Sequence, residues 1–190
     1  MKNLFLVSVL LTLFSCRVSE ENSHAYYKFD QADQSKLLNH LTVGKVVKYN
    51  NQEDEVLTFT VQDVNESTSN DSNSPMFGDK WIHLDQKTIT LANQNRNINY
   101  HFVKRPVDYD LAFQQVPKLI DAYVQGTVDG QLIDYNSATQ SLNANGVTYE
   151  NVFIYTAQQP FEIYQKIYYD TQVGLVGFDL SDGNQWRLIP

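Results

Sequence analysis

One hundred and ninety residues, with 8 Gly and 5 Pro, suit one domain of ordinary size or a small domain plus tails. A hydrophobic fraction of 42% and an aromatic fraction of 13% are enough for a packed core, which excludes global disorder. The formal charge of −8 repels phosphate backbones and argues against nucleic acid as a partner; a single Cys excludes a disulfide framework and Cys-based zinc or iron–sulfur sites.

The chain opens on Met1-Lys2-Asn3, a short segment with one basic side chain, followed by 11 residues from Leu4 to Phe14 that are apolar apart from Ser8 and Thr12. That length falls within the roughly 7–15 residues of a signal-peptide apolar region and well below the roughly 20 that span a bilayer. Leu13-Phe14-Ser15-Cys16 comes next. It resembles the bacterial lipoprotein signal, which has Leu three positions before the cleavage point, a small residue directly before it and Cys directly after. Phe14 departs from that pattern, being larger than the usual residue there. The resemblance implies that the Cys16 thiol becomes a diacylglyceryl thioether, that residues 1–15 are removed and that the new amine is open to acylation. Ordinary secretory cleavage fits less well, because it needs a small residue where Leu13 stands. At about 0.8 kcal/mol per buried methylene, two or three acyl chains hold a soluble domain to a membrane surface. The expected address is the cell envelope, at the outer membrane on its periplasmic or its surface side.

Residues 16–25 read as a polar tether through Arg17-Val18-Ser19-Glu20-Glu21-Asn22, and residues 26–190 as one domain. Asp33 is placed to cap a short helix carrying Leu37, Leu38 and Leu41 and ended by Gly44. From there the period is two. Val46, Val47 and Tyr49 lead through a polar turn at 50–54 into Val56 to Val61, where Leu57, Phe59 and Val61 share one face. The stretch from Asn65 to Pro75 has no apolar residue and predicts a solvated loop. Trp81 to Leu84 and Lys87 to Leu91 suggest a hairpin turning at Asp85-Gln86, and Ile98, Tyr100 and Phe102 alternate with Asn99, His101 and Val103. Between Arg105 and Gln131 the pattern blurs around Pro106 and Pro117. Strand character returns at Val147–Tyr155, Phe161–Tyr169, Val173–Phe178 and Asn184–Ile189, with Asp182-Gly183 supplying the tight turn before the last run. The expectation is an all-β, mainly antiparallel domain, a curved sheet, barrel or sandwich of about nine or ten short strands with one or two short helices at most.

Two segments carry a further resemblance. Tyr27-Lys28-Phe29-Asp30 through Leu37-Leu38 and Gly44 to Thr58-Phe59-Thr60-Val61 is one. The other is Gly146 to Val152, Tyr168-Tyr169, Gly174-Leu175-Val176-Gly177-Phe178 and Asp182-Gly183 before Trp186-Arg187-Leu188. Together they resemble the small β-rich lipoproteins of Bacteroidota, which implies an architecture and a compartment but brings no catalytic residue.

Candidate chemistry is sparse. Among His24, His40, His83 and His101, only His83 and His101 have the spacing to form half a metal site on neighbouring strands, and cross-strand or solvent-facing roles suit them better. There is no nucleophile elbow. Asp108 and Asp110, beside Pro106, suit loop solvation better than paired acid–base work, as do Asp179 and Asp182 near the last turn, and Asp71 belongs to no calcium-loop pattern. The 17 Asn and 16 Gln, with 12 Tyr and 2 Trp, suit sugars, but equally the wet face of an antiparallel sheet. Tyr26, Tyr27, Tyr168, Tyr169, Trp81 and Trp186 are expected as core and cross-strand partners. The reading is a membrane-anchored envelope lipoprotein with a non-catalytic binding or accessory role and no cofactor or metal. Its partners are the membrane, through acyl chains on Cys16, and an envelope protein, lipid or glycan. The alternatives are a carrier of lipid or another hydrophobic ligand, and a polysaccharide-associated enzyme or sugar-binding module.

Overall fold

The computed structural model describes residues 24–73, 80–106, 122–157 and 163–190. Cys16, the leader and all but the last two residues of the tether lie outside them, as do Asp108 and Asp110. Twelve strands form among the described residues. The first five are β1 His24–Tyr27, β2 Val46–Asn50, β3 Val56–Asn73, β4 Lys80–Ala92 and β5 Asn97–Pro106. β6 Ala122–Val128, β7 Gln131–Ile133, β8 Gln140–Ala144 and β9 Val147–Thr156 follow, then β10 Tyr164–Asp170, β11 Gly174–Leu180 and β12 Gln185–Leu188.

The domain is all-β. Eleven strands form one antiparallel sheet in the order β7-β6-β5-β4-β3-β2-β12-β11-β10-β9-β8, curled into a half-barrel, while β1 adds to β4 in parallel. Curling follows from the alternation read in the sequence, since one face of each strand is apolar and must be covered. Tyr49, Phe59, Leu91, Tyr100, Ile167 and Phe178 are among the buried residues of a single inner cluster. The two ends of the sheet approach each other, with Tyr135, just past β7, edge-on to Phe153 of β9 at 5.9 Å between ring centres. The β8–β9 hairpin tip then closes over the short β2–β12 seam. Asn145 Nδ2 donates to the Leu188 carbonyl at 2.8 Å and to Asn50 Oδ1 at 2.7 Å.

A bulge in β11 ties the two walls of the half-barrel together. Tyr168 pairs with Gly177 but Tyr169 pairs with Leu175, so the ladder shifts by one residue there. Tyr49 Oη donates to the Leu175 carbonyl at 2.9 Å, and the Leu175 amide donates to Tyr100 Oη at 3.1 Å. Two tyrosines from β2 and β5 thus satisfy one residue of β11 across the interior. Gly174, at φ +96, leaves the room this requires: a Cβ there would lie 3.1 Å from Tyr100 Oη.

Three sequence expectations are corrected. The helix after Asp33 is absent; residues 31–40 form successive turns, with the Leu41 amide donating to the Leu38 carbonyl at 2.9 Å and Leu38 itself at φ 48. Left-handed backbone at Leu38 cannot continue a helix, and it drives Leu37, Leu38 and Leu41 together into the core. Residues 65–73, expected as a loop, are strand, paired from Asn65↔Thr88 to Asn73↔Lys80. Nor does the chain turn at Asp85-Gln86, because β4 runs unbroken from Lys80 to Ala92. Those two polar residues are held in the strand by side-chain partners: Asp85 accepts from Tyr26 Oη and the Phe29 amide, and Gln86 Nε2 donates to Ser69 Oγ. β8 was not anticipated, although Asn145-Gly146, with φ 52 and 81, is a strong hairpin turn signal.

Candidate functional site

Among the described residues the inner face of the sheet is packed with buried side chains, and the hollows described below open to the outside. Two open hollows and two charged clusters stand out. The larger hollow, about 510 Å³, lies where the end of β12, the β10–β11 turn and the start of β2 converge. Its apolar lining includes Leu41, Val47, Val173 and Leu188, and Lys45, Lys48 and His40 also line it. Burial, then the charge of Lys45, push the His40 imidazole below its ordinary pKa, against the hydrogen bond to the Val173 backbone.

The second hollow, about 440 Å³, runs beside the sheet's β6–β7 end and is lined by Tyr123, Leu132, Ile133, Tyr135 and Lys36, among others. β7 covers only Gly126 to Val128 of β6, so Ala122 to Gln125 pair with β5 alone among the described residues. Tyr123 and Leu132 are exposed there, at 40% and 51%.

The first charged cluster is internal. β5 places Ile98, Tyr100, Phe102 and Lys104 on its inward face, and Lys104 is buried. Its ammonium donates to Asp33 Oδ2 at 2.7 Å and to Asp30 Oδ2 at 3.0 Å. Burial pulls the Lys104 pKa down, but the bonds from the two carboxylates outweigh it and the net shift is upward. Lys87, in the same stripe as Ile89 and Leu91, donates to Asn39 at 2.6 Å and pairs with Glu66 at 3.1 Å. Lysines at inward positions of an apolar stripe were the sequence signal for these pairs, and sequence reasoning passed over it. They latch the 31–40 segment over the sheet, a structural role.

The second cluster lies on the outer face, across β10, β11 and β12. Gly177 stands between Tyr168 and Arg187 in register. A Cβ there would meet the Trp186 carbonyl at 2.7 Å, so only glycine fits. Arg187 passes over the bare backbone to lie 4.6 Å from the Tyr168 ring centre and donates to Asp179 Oδ1 at 2.7 Å, while Tyr168 Oη donates to Asp179 Oδ2 at 2.7 Å. Burial, then the bond to Asp179, push the Tyr168 phenol up to about 12. Asp179 is therefore fully engaged, and Asp182 accepts from the Asn184 amide, so the two do not converge as an acid–base pair.

His83 and His101 are not brought together either. His101 pairs with Thr88, five residues along β4 from His83, which puts the two on opposite pleat faces. His83 instead faces Asn70 Oδ1 at 2.6 Å. His24 opens β1, and Asp71 lies on β3. No group of three or more His, Cys, Asp or Glu that would hold a metal gathers among the described residues, and no helix among them is long and apolar enough to cross a membrane. Tyr168, Tyr169 and Trp186 are buried, as expected, with Trp186 stacked 6.3 Å from Phe178.

The chain matches no protein-family profile, no curated protein and no solved structure. Its sequence, fold and surface are thus the basis for a functional reading.

Proposed function

We propose that this chain is a membrane-anchored envelope lipoprotein, held by acyl chains on Cys16, whose β domain has a non-catalytic binding or accessory role. The observation that carries the binding half of this reading is the filled interior. A carrier that encloses its ligand needs a cavity under the sheet, whereas here Tyr49, Phe59, Tyr100, Phe102, Tyr169 and Phe178 occupy that space with almost no exposure. Partners must then be met from outside. The β6–β7 end offers the means, a strand edge unpaired among the described residues and flanked by exposed Tyr123 and Leu132, to which an extended segment of an envelope protein can add.

The anchoring half draws on Leu13-Phe14-Ser15-Cys16 and on where the tether arrives. β1 pairs with Trp81 to Leu84 of β4, and Tyr26 fixes it through Asp85 and Thr68. Ala92, at the far end of β4, is level with Thr60 and hence with Val46, at the larger hollow. Ten residues of β4, roughly 33 Å at about 3.3 Å each, therefore separate the level at which the tether arrives, Ala25 beside Ile82, from the level of that hollow.

The test is cross-linking in the native envelope with a photoreactive residue at position 132 and, as a control, at exposed Glu53. The reading expects a discrete adduct from 132 and none from 53, and a Cys16→Ala variant released from the membrane fraction. Equal patterns from both positions, or a Cys16→Ala chain that stays membrane-bound, contradict it.

A further inference from the structure

We infer that the hollow between β2, the β10–β11 turn and the end of β12 is a binding site for a single-chain amphiphile with a carboxylate head, of the fatty-acid class. The site belongs to a different face from the β6–β7 edge and does not depend on lipidation of Cys16.

Three observations converge on it. The first is shape and lining. At about 510 Å³ the hollow falls within the ~300–1,000 Å³ typical of small-molecule sites, and Leu41, Val46, Val47, Val173, Leu188 and Ile189 give it apolar walls. That volume suits one hydrocarbon chain and is small for a two-chain lipid. The second is charge. Lys45 and Lys48 line the hollow, both exposed, and neither is joined in an ion pair among the described residues. In a chain of net charge −8, two ammoniums that form no ion pair among the described residues stand out beside one apolar hollow. In the adjoining turn the Asp170 carboxylate accepts from the Gln172 and Val173 amides at 2.8 and 3.0 Å through Oδ1, and it forms no ion pair with either lysine among the described residues. The third is the head group: the lining offers the compact ammoniums of Lys45 and Lys48 and no arginine, and ammoniums pair with a carboxylate as point charges. His40, held toward its neutral form by burial and by Lys45, adds a ring that can share a hydrogen bond without adding charge.

The apolar chain would lie against Val47, Val173 and Leu188, with the carboxylate between Lys45 and Lys48. Each exposed ion pair contributes modestly, so loss of both ammoniums is expected to weaken binding about five- to tenfold rather than abolish it.

The experiment uses the full chain held in amphipol, labelled with a diazirine analogue of dodecanoic acid and read by peptide mapping. The expected result is saturable labelling within 40–48 or 172–190 that unlabelled dodecanoic acid displaces. The methyl ester should label poorly, and dodecyl phosphate should compete less well than dodecanoate. Lys45→Gln with Lys48→Gln should shift half-saturation about five- to tenfold upward while leaving the unfolding midpoint unchanged, because both side chains are exposed and neither forms an ion pair among the described residues. Labelling that does not saturate, that maps elsewhere, that the ester matches, that dodecyl phosphate displaces more readily or that ignores the double substitution overturns the assignment.

Discussion

The half-barrel and the outer reach of the β3–β4 hairpin are built from the same element by different forces. Near its start β3 carries Phe59 and Val61, with 0% and 1% exposure, each locked into the inner cluster. Beyond the irregularity at Val61/Asp63 the same strand reads Asn65-Glu66-Ser67-Thr68-Ser69-Asn70, with five of those six residues exposed, and it is held by its backbone ladder to β4. Burial stabilises the first part; ladder bonds and polar cross-strand contacts such as Tyr26–Thr68 maintain the second. A strand can therefore run 18 residues while only part of it contributes to the core.

Substitutions sharpen that contrast, beginning with the largest effect. Phe59→Ala removes a ring packed edge-on against Tyr49 at 5.9 Å and should cost about 3–5 kcal/mol in urea denaturation. Lys104→Met leaves the buried Asp33 carboxylate without its cation and should cost about 3 kcal/mol, read the same way. Tyr49→Phe keeps the ring but strands the buried Leu175 carbonyl, for about 1–2 kcal/mol. Asn65→Ala, out on the hairpin, should stay within about 0.5 kcal/mol. A loss there as large as that of Tyr49→Phe would erase the distinction between the two regions.

Acidity separates interior from surface as well. Burial raises the phenols of Tyr49, Tyr100 and Tyr169, so their neutral form is favoured in the folded state. Unfolded tyrosine releases its proton near pH 10, and above that value the unfolded state is favoured; the raised Lys104 acts in the same direction as pH climbs past its ordinary range. On the acid side Asp30, Asp134 and Asp182 are held below 3.8 by the bond to Lys104 and by the amides of Asn136 and Asn184, respectively. Their contribution is present above about pH 4 and fades as pH falls further. Stability should be flat from about pH 7 to 9, ease off below about pH 6.5 because burial disfavours the protonated forms of His40 and His101 in the folded chain, and drop more steeply in alkali than in acid, since the low-pKa acids are exposed and the phenols are not. Thermal melts across that range check it, and a steeper acid limb would contradict it.

Much of the fold was legible because burial writes itself into period two. Val56 to Val61, Ile98 to Phe102 and the strands after Gly146 were readable from alternation alone. The hairpin's outer half was not, because a strand stabilised by its ladder needs no apolar residue and resembles a loop in composition. The turns at 31–40 were misread as a helix because Leu37, Leu38 and Leu41 have helical spacing, and nothing local announces the left-handed Leu38. The lysine-lined hollow was invisible for another reason. Lys45 and Lys48 meet Val173 and Leu188 only through pairings more than a hundred residues apart in sequence.

Intact-mass spectrometry of the chain extracted from membranes is the most direct test of the central proposal. The prediction is a polypeptide beginning at Cys16 and carrying the added mass of acyl chains. A chain that retains residues 1–15 and bears no lipid would contradict it.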